Sequence, residues 1–220
     1  MSLARQQPPF LSPPPSEGKL CYPSHQLYFA MTSLSLVQQA HAALSEILAE
    51  GDIAIDATVG NGHDTLFLAR EVGEVGTVYG FDIQEAALDT AYRRLQEEGL
   101  AGRVSFYHAG HEAMAVVLPE SVRGRVKAVM FNLGYLPGGD KQRTTGISTT
   151  LAALEQARVL LAPGGAISVL AYTGHPGGRE EAQAVRGWAR SLSPDYYQVD
   201  IAVPPRSSGA APEWVLVRRC

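Results

Sequence analysis

The stretch Ile53-Ala-Ile-Asp-Ala-Thr-Val-Gly-Asn-Gly-His-Asp-Thr65 decides the fold. An apolar run ends on Asp56, breaks into a turn with glycines at 60 and 62, and enters the helical pattern Leu66-Phe-Leu-Ala-Arg-Glu-Val72. A second apolar run, Thr77-Val-Tyr-Gly-Phe81, ends on another acid, Asp82. These are the parts of a nucleoside-cofactor site. The turn lets backbone approach a ligand closely, and the helix N-terminus presents free N–H groups to an anionic end. An acid closing the next strand accepts a ribose hydroxyl pair.

The same alternation continues outward. Strands are expected over 52–57, 76–81, 103–107, 126–132 and 165–171, and helices over 63–72, 84–98, 111–118, 147–161 and 178–192. Repeated β-then-α units predict an α/β fold with a doubly wound, mostly parallel sheet. Tyr196 to Val203 and Glu213 to Arg218 are two further strand-like runs, joined by a loop rich in Pro, Ser and Gly. They suit an antiparallel hairpin at one edge, for seven strands in all. Upstream, Val37, Ala40, Leu44, Ile47 and Leu48 recur at helical spacing and predict a helix over 34–48, ended by Gly51. Residues 1–24 carry six prolines and cannot build a core. They read as a flexible extension to a domain over 25–220.

Composition bounds the function classes. The chain has 220 residues, 45% hydrophobic and 18% charged, as in an ordinary globular protein. No apolar run approaches the roughly 20 residues of a membrane helix, and no signal-peptide core opens the sequence, so a cytoplasmic protein is expected. A net charge of −4 argues against a surface that coats nucleic acid broadly. Local basic clusters remain at Arg123/Arg125/Lys127, Lys141/Arg143, Arg179/Arg186/Arg190 and Arg218/Arg219. Cys21 and Cys220 show no metal or redox spacing, and a reducing compartment disfavours a disulfide between them. His63, His108, His111 and His175 do not make a zinc set, so no metal is expected. A homodimer is left open.

Three cofactor readings compete for the glycine turn. A P-loop needs Gly-Lys-Ser/Thr, which does not follow Gly62. A dinucleotide turn, G-x-G-x-x-G, would carry Thr65 in its third glycine position. The first motif of S-adenosylmethionine sites in class I methyltransferases, roughly D-x-G-x-G-x-G, fits Asp56-Ala-Thr58-Val-Gly60-Asn61-Gly62 with Thr58 in the first glycine slot. Two features favour the last. The strand expected over 126–132 ends in Asn132-Leu-Gly-Tyr135, similar to the Asn/Asp-Pro-Pro-Tyr signature of amino-directed methyltransferases. The terminal hairpin is the other, because a dehydrogenase would more often continue into a separate substrate domain.

Chemistry explains the Asn132 block. Methyl transfer from a sulfonium is an in-line displacement, so an amine lone pair must point at the methyl carbon. The Asn132 side-chain oxygen and the Leu133 carbonyl are suited to accept the amine hydrogens, while Tyr135 stacks on a base.

Asp56-Ala-Thr-Val-Gly-Asn-Gly-His-Asp-Thr65, Gly110-His-Glu112, Asn132-Leu-Gly-Tyr-Leu-Pro-Gly-Gly-Asp-Lys141 and Tyr172-Thr-Gly-His-Pro-Gly-Gly-Arg-Glu-Glu181 together resemble the bacterial "putative rRNA methylase" family. The resemblance spans about residues 32–219. It implies a Rossmann-like class I methyltransferase using S-adenosylmethionine. Some family members are tRNA-modifying enzymes that convert 5-aminomethyl-2-thiouridine at the wobble position to its methylaminomethyl form, which implies the anticodon region of tRNA as partner. A methyltransferase for rRNA or a small amine, and a non-catalytic RNA- or cofactor-binding module, are the alternatives.

Roles follow. Asp56, Thr58, Gly60, Asn61 and Gly62 shape the turn around the methionine part, Asp82 holds the ribose, with Ile83 and Gln84 bordering the adenine, and Asn132 borders the cofactor as well as the acceptor. Asp64 or Thr65 bonds the amino or carboxylate group, unless Asp64 is only a favourable helix N-terminal charge. Gly110, His111 and Glu112 face the adenine edge, or His111 and Glu112 form a helix cap. Pro137 and Gly138 border the acceptor. Asp140 draws in or deprotonates its ammonium, while Lys141 and Arg143 hold phosphates. His175 flanks the base or serves as a turn residue. Thr144, Thr145, Thr149 and Thr150 are expected to cap the following helix.

Overall fold

Strand β1 (Ile53–Asp56) is short and almost wholly buried, because it lies in the interior of a seven-stranded sheet with a neighbour on each side. The computed structural model describes residues 34–136, 138, 144–204 and 212–220. The proline-rich stretch over 1–24, and the domain start expected at 25, lie outside the described residues. β1 pairs in parallel with β2 (Thr77–Asp82) and β4 (Val126–Leu133). β2 continues in parallel to β3 (Val104–His108), and β4 to β5 (Leu161–Ala171). β6 (Tyr197–Ala202) and β7 (Glu213–Arg219) form the antiparallel pair, and the sheet order is β3-β2-β1-β4-β5-β7-β6. The expected mostly parallel sheet with its terminal hairpin is present. Which hairpin strand takes the inner place was not legible: β7, the later one, lies against β5.

Helices cover both faces: α1 (Leu36–Ser45), α2 (His63–Glu71), α3 (Glu85–Glu97), the single turn α4 (Met114–Val117), α5 (Ile147–Leu160) and α6 (Gly178–Ser191). Successive strand residues point to opposite faces, so neighbours on β1 enter different cores. Ile55 packs with Val129, Ile167, and Leu154 and Val185 from α5 and α6. Ala54 packs with Ala128, Leu170, and Leu44, Leu68 and Leu95 from α1, α2 and α3. Each large aliphatic side chain buried in this way contributes roughly 1.5–3 kcal/mol.

The sheet order turns back between β1 and β4, leaving a crevice at the carboxyl ends of the strands where ligands of such sheets bind.

Several boundaries differ from expectation. α1 starts after a capping box between Ser35 and Gln38 and stops at Ser45 rather than 48, because the chain folds into a turn that Gly51 closes at φ +90°. The helix expected over 111–118 is a 3-10 turn, His111–Ala113, followed by α4, and Pro119 then halts it. β5 begins at Leu161, four residues early. Pro163-Gly164-Gly165 is absorbed as a bulge, the register stepping from Val126↔Leu161 to Ala128↔Ala166. The threonines do not cap α5. Gly146 takes the N-cap position, and Thr145 and Thr150 donate instead to Glu181 of α6, a carboxylate only 2% exposed that needs donors. The Cys21–Cys220 pairing weighed from the sequence involves Cys21, which lies outside the described residues. Among the described residues no helix is long and apolar enough to cross a membrane.

Candidate functional site

The loops leaving β1, β2, β3, β4 and β5 converge on one cavity of about 990 Å³ at the crevice. That is the upper end of the usual 300–1,000 Å³ range for ligand pockets. Thr58, Gly60, Asn61 and Asp64 line it from the first loop, and Asp82, Ile83 and Gln84 from the second. Gly110, His111 and Glu112 line it from the third, Asn132, Tyr135 and Gly138 from the fourth, and His175 from the fifth. Most residues singled out in the sequence thus share one wall-to-wall space. Pro137, Asp140, Lys141 and Arg143 lie outside the described residues.

The turn is built for close approach. Gly60 and Gly62 take φ values of +51° and +76°, a region that residues with a Cβ rarely enter. A Cβ on Gly62 would also lie 2.6 Å from that of Ala91, so α2 and α3 pack through this glycine. Arg94 of α3 donates to the Asn61 carbonyl at 2.9 Å and ties the turn down. Asp82 accepts from Gly60 N at 2.8 Å with one oxygen and from Gln84 N at 2.9 Å with the other. Its carboxylate therefore organises two loops as well as facing the cavity.

Asp56 and Thr65 stand behind the turn rather than in the cavity wall. Asp56 is fully buried and accepts from Thr65 Oγ1 at 2.6 Å and Thr58 N at 3.1 Å. Burial, and secondarily the charge of Asp64, push its carboxyl up to about 7. The folded protein then keeps this proton to higher pH than the unfolded chain does. The associated stability is fully present at acid pH and is lost as pH rises through about 7. Asp56→Asn mimics the protonated acid. Relative to the natural protein it should gain on the order of 1–3 kcal/mol between about pH 4 and pH 8. Urea unfolding across that range checks this, and a difference independent of pH would sink it.

Asn132 sits one residue from the end of β4. Its backbone N–H donates to Thr58 Oγ1 at 2.7 Å, and its side-chain Nδ2 donates to Asp64 Oδ2 at 2.5 Å. The other Asp64 oxygen meets His41 Nε2 at 2.6 Å. Asp64 is therefore tied to two side chains besides standing at the helix N-terminus. The Leu133 side chain is fully buried, and its carbonyl accepts Tyr172 N–H at 3.0 Å, leaving one lone pair. Tyr135 meets His175 edge-on at 6.0 Å and bridges to Thr144. His111 is mostly buried, which holds its imidazole below the usual value, and it packs edge-on against Phe131. The 3-10 turn it opens has Gly110 as N-cap with no side-chain cap bond.

Sequence reading gave no role to His41, nor to Tyr172 and Glu181, the two ends of the fourth motif. Tyr172 also lines the cavity, and burial with the Asp64 charge raises its phenol. A signal for His41 existed. Val37, Ala40, His41 and Leu44 follow the i, i+3, i+4, i+7 pattern of one helix face, which places a histidine in an apolar stripe. Several basic groups also proved to be engaged within the fold. Arg123 pairs with Glu120, Arg186 with Glu213 and Arg218 with Asp200, while Lys127 and Arg219 bond backbone carbonyls. Among the described residues no group of three or more His, Cys, Asp or Glu could hold a metal.

Comparison with known proteins adds to this geometry. A family described as "Putative rRNA methylase" matches residues 78–218. An Arabidopsis thaliana protein named "tRNA (mnm(5)s(2)U34)-methyltransferase, chloroplastic" is 41% identical over 162 residues, covering 70% of this chain and 58% of that protein. The chain thus spans less than two thirds of the plant protein's length. A crystal structure of a "putative rRNA-methylase" from Clostridium thermocellum superposes with TM-score 0.80 at 37% identity, over 85% of this chain and 98% of that one. A "putative methyltransferase" from Streptococcus mutans, solved in complex with SAH, superposes with TM-score 0.75 at 31% identity, over 84% and 97%. Matched by the family over most of its length and sharing the sheet of those structures, this chain belongs to the "Putative rRNA methylase" family and has the class I methyltransferase fold.

Proposed function

We propose that this protein is an S-adenosylmethionine-dependent N-methyltransferase acting on the aminomethyl group of 5-aminomethyl-2-thiouridine at the tRNA wobble position. The observation that carries the reading is Asn132: its amide is pinned at the cavity wall by Asp64, beside the glycine turn. The name of the plant relative supports the choice of acceptor.

The residues present fit the cofactor. Gly60 lines the cavity in the turn that leads into α2, Gly62 lets that turn pack against α3, and the Asp82 carboxylate lines the cavity at the end of β2, where it is suited to a ribose diol. When bound, S-adenosylmethionine supplies a methyl group on a sulfonium, and the sulfur leaves as a neutral thioether. The chain's own work is positioning. Asn132 Oδ1 accepts one amine hydrogen, and the remaining lone pair of the Leu133 carbonyl accepts a second, so the nitrogen lone pair is aimed. Tyr135, braced by His175, meets the face of the base. Asp140 takes the proton released as the amine becomes reactive, and Lys141 and Arg143 hold anticodon phosphates.

Mass spectrometry of nucleosides from tRNA incubated with protein and S-adenosylmethionine tests this. The expected result is loss of 5-aminomethyl-2-thiouridine and gain of the form carrying one more methyl group. Persistence of that nucleoside while rRNA or a small amine becomes methylated would overturn the acceptor assignment.

A further inference from the structure

We infer that His41 is a positioning residue for methyl transfer: acting through Asp64, it fixes the Asn132 amide so that Oδ1 rather than Nδ2 faces the acceptor. This rests on the proposed role of Asn132. The three side chains come from distant parts of the chain, α1, the start of α2 and the end of β4, and meet beside the cavity. His41 Nε2 lies 2.6 Å from Asp64 Oδ1, and Asn132 Nδ2 lies 2.5 Å from Asp64 Oδ2. The side chains of His41 and Asp64 are 27% and 8% exposed, so water competes little for either bond.

An ionised carboxylate only accepts, so each neighbour must turn a donor toward it. That requirement sets the His41 tautomer, with hydrogen on Nε2, and the Asn132 amide orientation. The His41 ring stacks on Phe67 at 4.0 Å with planes 3° apart, which fixes the line along which its hydrogen points. Each Asp64 oxygen thereby has a fixed donor, and rotating the carboxylate toward an acceptor ammonium would break both bonds. Remove the His41 donor and one oxygen is freed. Asp64 then swings, the Asn132 amide loses its fixed partner, and a flipped amide offers a donor where the amine needs an acceptor.

The test uses His41→Phe, which keeps a ring against Phe67 but no donor, and His41→Gln, which keeps a donor. The first readout is the NMR signal pair of the Asn132 side-chain amide, identified by its loss in Asn132→Ala. In the natural protein the proton donated to Asp64 should lie well downfield of its twin. His41→Phe should narrow that separation and His41→Gln should retain it. The second readout is methylation of tRNA carrying 5-aminomethyl-2-thiouridine, with S-adenosylhomocysteine affinity measured alongside. His41→Phe should lower kcat about 10–150-fold, the scale of losing a hydrogen bond to a charged group, with that affinity within about threefold. His41→Gln should recover kcat to within about threefold. An unchanged amide pair and rate in His41→Phe overturns the inference, as does an affinity loss that matches the rate loss. Should His41→Phe not fold, a narrowed amide pair in His41→Gln overturns it. Absence of tRNA methylation by the natural protein would defeat the proposed function, while the amide signals would still decide whether His41 orients Asn132.

Discussion

Asn132→Ala is expected to lower kcat for amine methylation by roughly 100–1,000-fold, the scale seen when a positioned group at the reacting centre is removed. Affinity for S-adenosylhomocysteine should stay within about threefold. The split follows from geometry. The backbone N–H of Asn132, which bonds Thr58 beside the glycine turn, survives the substitution, so the cofactor end keeps its shape. What disappears is the side-chain oxygen proposed to aim the amine, and with it the donor to Asp64. Asp64 retains His41 as partner, so the carboxylate is not abandoned in the interior. Thermal unfolding should be followed with the kinetics, because one partly buried oxygen is left short of a donor at a cost of about 1–3 kcal/mol. A variant that turns over within threefold of the natural protein would remove Asn132 from the chemistry.

Asp82→Ala should act at the other end. Its two oxygens receive the Gly60 and Gln84 amides, so alanine frees both loops that border the proposed ribose position. Together with the lost hydroxyl contacts, cofactor affinity should fall about 10–100-fold, the equivalent of about 1.4–2.8 kcal/mol. Asp82→Asn gives an intermediate loss, since its amide can accept from one of the two backbone donors but must turn hydrogens toward the other. Calorimetry with S-adenosylhomocysteine reads both variants. Unchanged affinity in Asp82→Ala would show that the carboxylate holds loops together and not the cofactor.

The inner strands β1, β4 and β5 were legible because they run between two covered faces and so appear as largely apolar runs, with a helical period between. The glycine turn and Asp82 were legible for a related reason: close approach and a strand-end acid leave short local signatures. Long-range choices were not. The capture of Thr145 and Thr150 by Glu181, at the expense of capping α5, depends on a carboxylate 31 positions further along from Thr150. His41 enters the site through α1, whose place over the cavity follows from packing against β5 and β7 rather than from any motif. Its apolar stripe carried the hint, but a lone histidine there does not say which acid it will meet.

The inner place of β7 bears on how the molecule reaches its structure. β6 is synthesised first, yet among the described residues its one neighbour in the sheet is β7. It has nothing to pair with until β7 has emerged and docked antiparallel on β5. β7 also divides its side chains between the two cores, Val215 and Val217 entering one and Trp214 and Leu216 the other. Until that strand is placed, the outer edge of β5 is a bare row of amides and carbonyls open to pairing with the wrong chain. The hazard in making this protein therefore lasts until β7 has docked, and β7 is the strand that ends it.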